Sequence, residues 1–143
     1  MKFNVTVRTD GLQNVRHRVE VMKRAPDETL KQLAEEQVQV VQNRIRNTKT
    51  DPDGQPWAPW SMATIRAYSR SGRGGSLLFR TGALLESIQY RISEKTLTIF
   101  SNVGYAKYLQ FGTPKMPARR FLGWNQESIN RVKEILKEKI NDR

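Results

Sequence analysis

The sequence predicts an α+β fold in which a small antiparallel sheet packs against a long helix and a C-terminal helix. Three short runs alternate apolar and polar residues, which is typical of half-buried strands. Two longer runs without glycine or proline carry apolar residues at helical spacing. The chain has 143 residues, enough for one domain with a modest core, so we expect a single domain over residues 1–143.

The first two elements are predicted from a change of period near the N-terminus. Residues 2–8 alternate apolar and polar side chains and are predicted to form a strand. Residues 12–23 then carry apolar residues at intervals of three and four, the spacing of one helix face. That predicted stripe consists of Leu12, Val15, Val19 and Met22. We therefore expect a short helix after the first strand.

A long core helix is predicted after Pro26. Asp27 and Glu28 suit its first turn, where carboxylates meet free backbone amides and the positive end of the helix dipole. One face of the following stretch is apolar and the other is Gln, Glu, Lys and Arg. The apolar face consists of Leu30, Leu33, Ala34, Val38, Val41 and Ile45. We expect this helix to supply much of the core.

Residues 48–80 are predicted to form an extended arm within the domain. The stretch contains three prolines and four glycines, and a structureless segment of this length in a small domain is uncommon unless it is functional. Trp57 and Trp60 are large aromatics of the kind that anchor interfaces. Residues 61–68 are expected to form a short helix capped by Ser61, followed by a basic tip that becomes ordered on assembly.

The second half of the chain is predicted to contain a hairpin between short helices. Thr81 is expected to cap a short helix that carries Leu84 and Leu85. Residues 88–92 and 96–101 alternate apolar and polar side chains on either side of a short loop. This pattern predicts a β-hairpin.

Residues 104–123 are rich in aromatic residues, glycine and proline. A short helix is predicted within residues 104–112, because three of its residues share one helix face. Those residues are Tyr105, Tyr108 and Leu109. A short strand near 119–123 is expected to complete the sheet. The final helix is expected to begin at Asn125 and to end among cations, which the helix dipole favours.

The composition argues for a basic protein without the groups that usually carry catalysis. The net charge is +11, spread along the chain without a run of five like charges. A basic nucleic-acid-binding module therefore stays open as an alternative function. There is no cysteine, and the one histidine, His17, lies between two arginines, so we expect no enzyme, no catalytic residue and no metal site.

Two loops superficially suggest ligand sites. Residues 51–54 (DPDG) lack the further ligands of a calcium loop, and residues 71–76 (SGRGGS) lack the Gly-Lys-Ser/Thr ending of a phosphate-binding loop. We interpret the first as a turn and the second as a flexible loop, and we expect no cofactor. No apolar stretch approaches the roughly 20 residues of a membrane helix or forms a signal core, so neither a membrane nor a secretory role is expected.

Three segments, in this order, carry a resemblance to a known family. They are residues 51–61 (DPDGQPWAPWS), residues 77–88 (LLFRTGALLESI), and residues 103–113 (VGYAKYLQFGT) with 117–123 (PARRFLG). Over about residues 30–140 the chain resembles the virion morphogenesis or tail-completion proteins of Mu-like and related tailed phages and prophages. The resemblance implies an α+β structural subunit, not an enzyme, which acts as a tail terminator or head–tail connector component in a ring, commonly a hexamer.

The resemblance also implies partners and a location. The expected partners are further copies of the chain in a hexameric ring and the tail tube or head–tail connector proteins, with DNA incidentally nearby. The expected location is the virion neck or head-proximal tail end, after assembly in the bacterial host cytoplasm. From the residues themselves we expect an interface with a subunit or partner that includes Trp57, Trp60, Arg80, Tyr105, Tyr108, Phe111, Arg119, Arg120 and Phe121. The two arginines at 119 and 120 are expected to serve assembly more than folding.

Overall fold

The computed structural model describes residues 5–10, 14–20, 27–72, 75, 77–78, 82–93 and 96–141. Within these residues the strands are β1 (Val5–Asp10), β2 (Asn14–Glu20), β3 (Ile88–Ser93) and β4 (Thr96–Ser101). The helices are α1 (Asp27–Asn43), α2 (Met62–Ser71), α3 (Ala83–Glu86), α4 (Ala106–Phe111) and α5 (Gln126–Asn141). The predicted α+β class is confirmed. No helix in the described part is long and apolar enough to cross a membrane.

The strands form one antiparallel sheet with the order β1-β2-β4-β3. The predicted hairpin is confirmed: β3 and β4 pair with Ser93 opposite Thr96 and Ile88 opposite Ser101. β1 confirms the predicted first strand over residues 5–8, whereas residues 2–4 lie outside the described part. β4 is a central strand, which agrees with the burial of Thr98 as well as its apolar neighbours.

The helix predicted at residues 12–23 is wrong, because residues 14–20 form β2 between β1 and β4. Val15 and Val19 are four residues apart, and that spacing fits both a helical period of 3.6 and a strand period of two. β-branched residues favour the strand, and pairing on both sides satisfies the backbone hydrogen bonds of the segment. Residues 12–13 and 21–23 lie outside the described part.

α1 confirms the predicted core helix. It packs against β3, β4 and α5, and it continues into a π-helical turn, Arg44–Thr48. Its buried leucines, Leu30 and Leu33, each contribute about 1.5–3 kcal/mol of hydrophobic stabilisation. Among the residues whose burial the structure describes, the other buried apolar residues are Ala34, Val41, Ile45, Trp57, Leu84, Leu85, Ile88, Leu97, Ile99, Ala106, Phe121, Leu122, Val132 and Ile135.

The strand expected near 119–123 is also wrong: this segment has no regular secondary structure and joins no sheet. Its amides at Phe121 and Leu122 donate instead to the side-chain oxygen of Gln110, at 3.1 and 3.0 Å. Backbone groups that are already paired with side chains gain nothing from a strand partner. The segment is therefore held by side chains from other elements rather than by a sheet ladder.

The predicted short helix at 61–68 is confirmed as α2. Ser61 is its N-cap, and its hydroxyl accepts a hydrogen bond from the Thr64 amide at 3.2 Å. α3 confirms the short helix with Leu84 and Leu85, both buried. The capping role expected of Thr81 falls outside the described residues. α4 and α5 confirm the last two predicted helices, with the Asn125 side chain accepting from the Ser128 amide at 2.7 Å.

Candidate assembly surface

An exposed row of aromatic side chains runs along α4. Tyr105, Tyr108 and Phe111 are 46%, 48% and 50% exposed. They are spaced three residues apart, which places them along one side of the helix. The other side of α4 buries Ala106 and Gln110. We call the three exposed residues the aromatic row; large aromatics exposed together on a folded chain are typical of interaction surfaces.

Gln110 fixes the aromatic row from beneath. Its buried side chain accepts from the amides of Phe121 and Leu122 and donates to the Leu122 carbonyl at 2.9 Å. The side-chain oxygen of Gln110 therefore accepts two hydrogen bonds from the segment, and its side-chain nitrogen donates one. α4 is joined to residues 119–123 by these bonds and by the Arg119 amide, which donates to the Leu109 carbonyl at 2.7 Å. These hydrogen bonds hold α4, and with it the aromatic row, in a defined position on the body of the protein.

Arg44 binds two carbonyls of the same segment. Its guanidinium donates to the carbonyls of Phe121 and Gly123, both at 3.1 Å. Burial lowers the pKa of Arg44 to about 10, against the opposing effect of Asp51 and Asp53. A pKa of about 10 still leaves the group charged at neutral pH, and its hydrogen bonds to carbonyls offset part of the cost of burying the charge.

Trp57 and Arg119 join residues 57–59 to the same segment. The Trp57 indole, only 6% exposed, donates to the Arg120 carbonyl at 2.8 Å. The buried Arg119 guanidinium donates to the carbonyls of Ala58 and Pro59 at 2.7 and 2.9 Å, and burial lowers its pKa. Trp57 therefore belongs to the core of its own chain and Arg119 bonds within that chain, whereas the arm expected over residues 48–80 stays a prediction.

Four consecutive carbonyls, from Arg120 to Gly123, accept hydrogen bonds from side chains of distant elements. We call residues 119–123 the stapled segment. Its fully buried Phe121 adds a core contact to the polar ones. Arg44 and Gln110 were not predicted as functional residues. For Arg44 the available signal was its position beside Ile45 on the apolar side of the predicted core helix, where an unpaired polar group is costly. Gln110 had no such signal, because the apolar face predicted for its helix was Tyr105, Tyr108 and Leu109.

Arg120 lies at the surface beside a turn. Its guanidinium forms an ion pair with Asp53 at 2.9 Å and lies 3.7 Å from Asp51. The Asp51 carboxylate accepts from the amides of Asp53 and Gln55, both at 2.9 Å, so residues 51–54 form the predicted turn. Because Arg120 and Asp53 are half-exposed or more, their ion pair contributes only about 0–1 kcal/mol.

α2 forms one wall of an apolar groove. None of its residues is buried, and its Tyr68 meets Trp60 edge to face, with ring centroids 4.8 Å apart and planes at 76°. The groove lies between α2 and α4 and has a volume of about 660 Å³. Its large apolar and aromatic lining side chains are Trp60, Tyr68, Leu78, Leu84, Tyr105, Leu109 and Met116. We call it the α2–α4 groove.

The structure separates the predicted interface residues into two groups. Surface positions are held by Trp60, Tyr105, Tyr108, Phe111 and Arg120. Interior positions are held by Trp57, Arg119 and Phe121. Arg80 lies outside the described residues. An interface role for all of them stays a prediction, and only the first group has the accessibility that such a role requires.

The described residues contain no group of three or more His, Cys, Asp and Glu side chains that could hold a metal ion. The model of the phage virion morphogenesis family matches residues 7–141, nearly the whole chain. No curated protein and no solved structure is significantly similar to the chain. The family match covers the aromatic row, the stapled segment and the α2–α4 groove together. The chain therefore belongs to the phage virion morphogenesis family.

Proposed function

We propose that the protein is a structural subunit that completes or terminates a phage tail and joins it to the head, acting within a ring of identical subunits. Family membership supports a structural rather than a catalytic part in virion morphogenesis. The observation that carries the assembly role is the aromatic row, because three half-exposed aromatics on one fixed helix face supply the anchors that protein interfaces favour.

The support beneath the row makes it suitable for repeated assembly. α4 is tied to the stapled segment by Gln110, so little backbone freedom is lost when a neighbour binds. The Lys107 ammonium lies 4.9 Å from the centre of the Tyr108 ring, a cation–π contact that helps to hold that ring in place. A preorganised row gives each subunit the same contact surface.

In a closed ring, one surface of each subunit meets a different surface of the next. We propose that the aromatic row is one of these two surfaces and that the ring is a hexamer, as the resemblance to tail-completion proteins implies. The proposed location is the virion neck or head-proximal tail end, where the ring contacts the tail tube or the head–tail connector.

The test combines solution mass with particle assembly. Tyr108→Ser with Phe111→Ser removes most of the row while leaving the buried side of α4 intact. Met62→Ser is the matched control, since Met62 is a more exposed apolar residue that lies on α2. We expect the wild type to form an oligomer detectable by light scattering, and we expect the double variant to remain folded, to lose that oligomer, and to fail to complement particles lacking the protein. Wild-type mass and normal completed particles would contradict the proposal.

A nucleic-acid-binding role is the second candidate, favoured by the net charge of +11. It predicts affinity for duplex DNA that falls steeply between about 50 and 200 mM salt, because bound cations release counterions from the phosphates. Fluorescence anisotropy with a labelled duplex measures this slope directly. Absent binding or a flat salt dependence would remove this candidate.

A further inference from the structure

The α2–α4 groove is not explained by the aromatic row. Its walls are Trp60 and Tyr68 on one side and Tyr105 with Leu109 on the other. α2 has no buried residue, so this wall stands out from the body with one side facing the groove. A groove of about 660 Å³ with aromatic walls has the size and chemistry to take several apolar side chains of a ligand.

The charged side chains among the described lining residues have one sign. Every lining residue that the structure describes comes from residues 54–85 or 95–126, and neither segment contains any of the fourteen Asp and Glu residues of the chain. The same two segments contain nine Lys and Arg residues. Lys115 and Arg119 line the groove itself. The fold thus joins two acid-free parts of the sequence around one apolar cleft, which favours a ligand that is both apolar and negatively charged.

We propose that the α2–α4 groove binds an acidic peptide segment of a partner protein, with the apolar side chains of that segment between the aromatic walls and its carboxylates at Lys115 and the surrounding cations. The Trp60 and Tyr68 rings, already in mutual contact, offer a preorganised wall for such side chains. The Lys115 ammonium is exposed at the edge of the groove and free to meet a carboxylate.

Nucleic acid fits this groove less well than an acidic peptide. Affinity for a phosphate backbone comes from several cations acting together. Among the residues that the structure describes, two cations line the groove, and the guanidinium of one of them, Arg119, already donates to the carbonyls of Ala58 and Pro59. The lining is otherwise mostly apolar and aromatic. The site is therefore built for side chains rather than for a row of phosphates.

The aromatic row of a second copy fits less well too. It would bring the cation Lys107 and no carboxylate to a groove that is already positive, since residues 95–126 contain no acidic residue. Like charges brought together at an interface disfavour association. The occupant inferred from the charges is a different protein, and the inference concerns the isolated chain, whether or not a ring forms.

The probe is a short fluorescein-labelled peptide in which Glu and Asp alternate with Leu and Phe, and binding is followed by fluorescence anisotropy. Two matched peptides replace either the acidic residues by Gln and Asn or the apolar residues by Ser. A single-stranded oligothymidine of equal charge serves as the polyanion. We expect the first peptide to bind at least about tenfold more tightly than each of the other three ligands. Equal binding of the oligothymidine, or no binding of the acidic peptide, would overturn the proposal.

Two pairs of variants locate the binding site. Lys115→Glu and Tyr105→Ser each change a lining residue, and we expect each to weaken peptide binding about tenfold. Lys137→Glu is the control for Lys115→Glu, because it makes the same charge change at an exposed position of α5 that does not line the groove. Tyr108→Ser is the control for Tyr105→Ser, because it makes the same substitution at a position of α4 that does not line the groove. These controls are expected to bind as the wild type does. Equal losses in lining and control variants, with unchanged melting temperatures, would overturn the assignment.

The outcome is separable from that of the assembly proposal. Peptide binding is measured on the purified chain, whereas the aromatic-row variants are measured by solution mass and particle completion. Loss of peptide binding in Tyr105→Ser with full binding in Tyr108→Ser supports the groove even if the row proves irrelevant to assembly. The reverse pattern, in which Tyr108 is needed for peptide binding and Tyr105 is not, would refute the groove.

Discussion

Trp57 and Trp60 lie three residues apart in the run WAPW, yet one belongs to the core and the other to the surface. Trp57 is buried and donates to the stapled segment, while Trp60 is half-buried on the wall of the α2–α4 groove. Arg119 binds the two carbonyls between them. The boundary between the interior and the exposed α2 therefore falls at residues 58–59, where Arg119 binds the two carbonyls. Residue type alone thus does not distinguish the buried tryptophan from the one on the groove wall.

The largest difference in stability is expected when each of the two tryptophans is replaced by alanine in turn. Trp57→Ala should lower the free energy of unfolding by about 3–5 kcal/mol, because a buried ring and its hydrogen bond to Arg120 are lost. Trp60→Ala should cost about 1 kcal/mol, since its ring is only half-buried. Urea unfolding measures both, and equal losses would show that the two residues share one environment.

A glycine at the end of α4 provides the next test. Gly112 ends α4 with φ of 76°, and a Cβ there would lie 2.8 Å from the Ala118 amide nitrogen. Gly112→Ala should therefore cost about 2–3 kcal/mol from backbone strain and crowding. Gly104→Ala is the control, as a Cβ there meets no atom within 4 Å. Thermal unfolding that ranks the two variants equally would place the strain elsewhere.

The two adjacent arginines give the smallest expected difference. Arg119→Ala leaves the carbonyls of Ala58 and Pro59 without their donor and should cost about 2 kcal/mol. Arg120→Ala removes a half-exposed ion pair with Asp53 and should cost no more than about 0.5 kcal/mol. The melting temperatures of the two single variants decide the matter. An unchanged value for Arg119→Ala would restore the sequence-based expectation that both arginines serve assembly more than folding.

The elements predicted correctly are those whose pattern is local. α1, α5 and the β3–β4 hairpin each repeat an apolar period over their own length, and α2 carries its own cap at Ser61. β2 was missed because two valines four residues apart fit two periods equally well. In that case pairing with neighbouring strands decided the structure, and such pairing is not visible in one short run.

The stapled segment could not be predicted because its partners are distant in the sequence. Gln110, Trp57 and Arg44 each bond to its backbone, from 11 to 79 residues away. No local pattern marks a buried arginine or glutamine as a partner of a particular carbonyl. The short helix α4 was predicted, but the face expected on it was Tyr105, Tyr108 and Leu109, whereas the exposed row is Tyr105, Tyr108 and Phe111. The place of Trp60 on a groove depends on how α2 sits beside α4.

The long reach of the staples has a consequence for the order of folding. Arg44 is separated from Phe121 by 77 positions and Trp57 from Arg120 by 63, so closing these loops costs chain entropy before the bonds form. We expect the segment to dock after the transition state, once α1 and the hairpin are in place. Stopped-flow kinetics of Arg119→Ala should then show faster unfolding with a nearly unchanged folding rate. Equal changes in both rates would place the segment in the folding nucleus. If the stapled segment docks last, α4 gains its hydrogen bonds to that segment only when the rest of the chain is already folded.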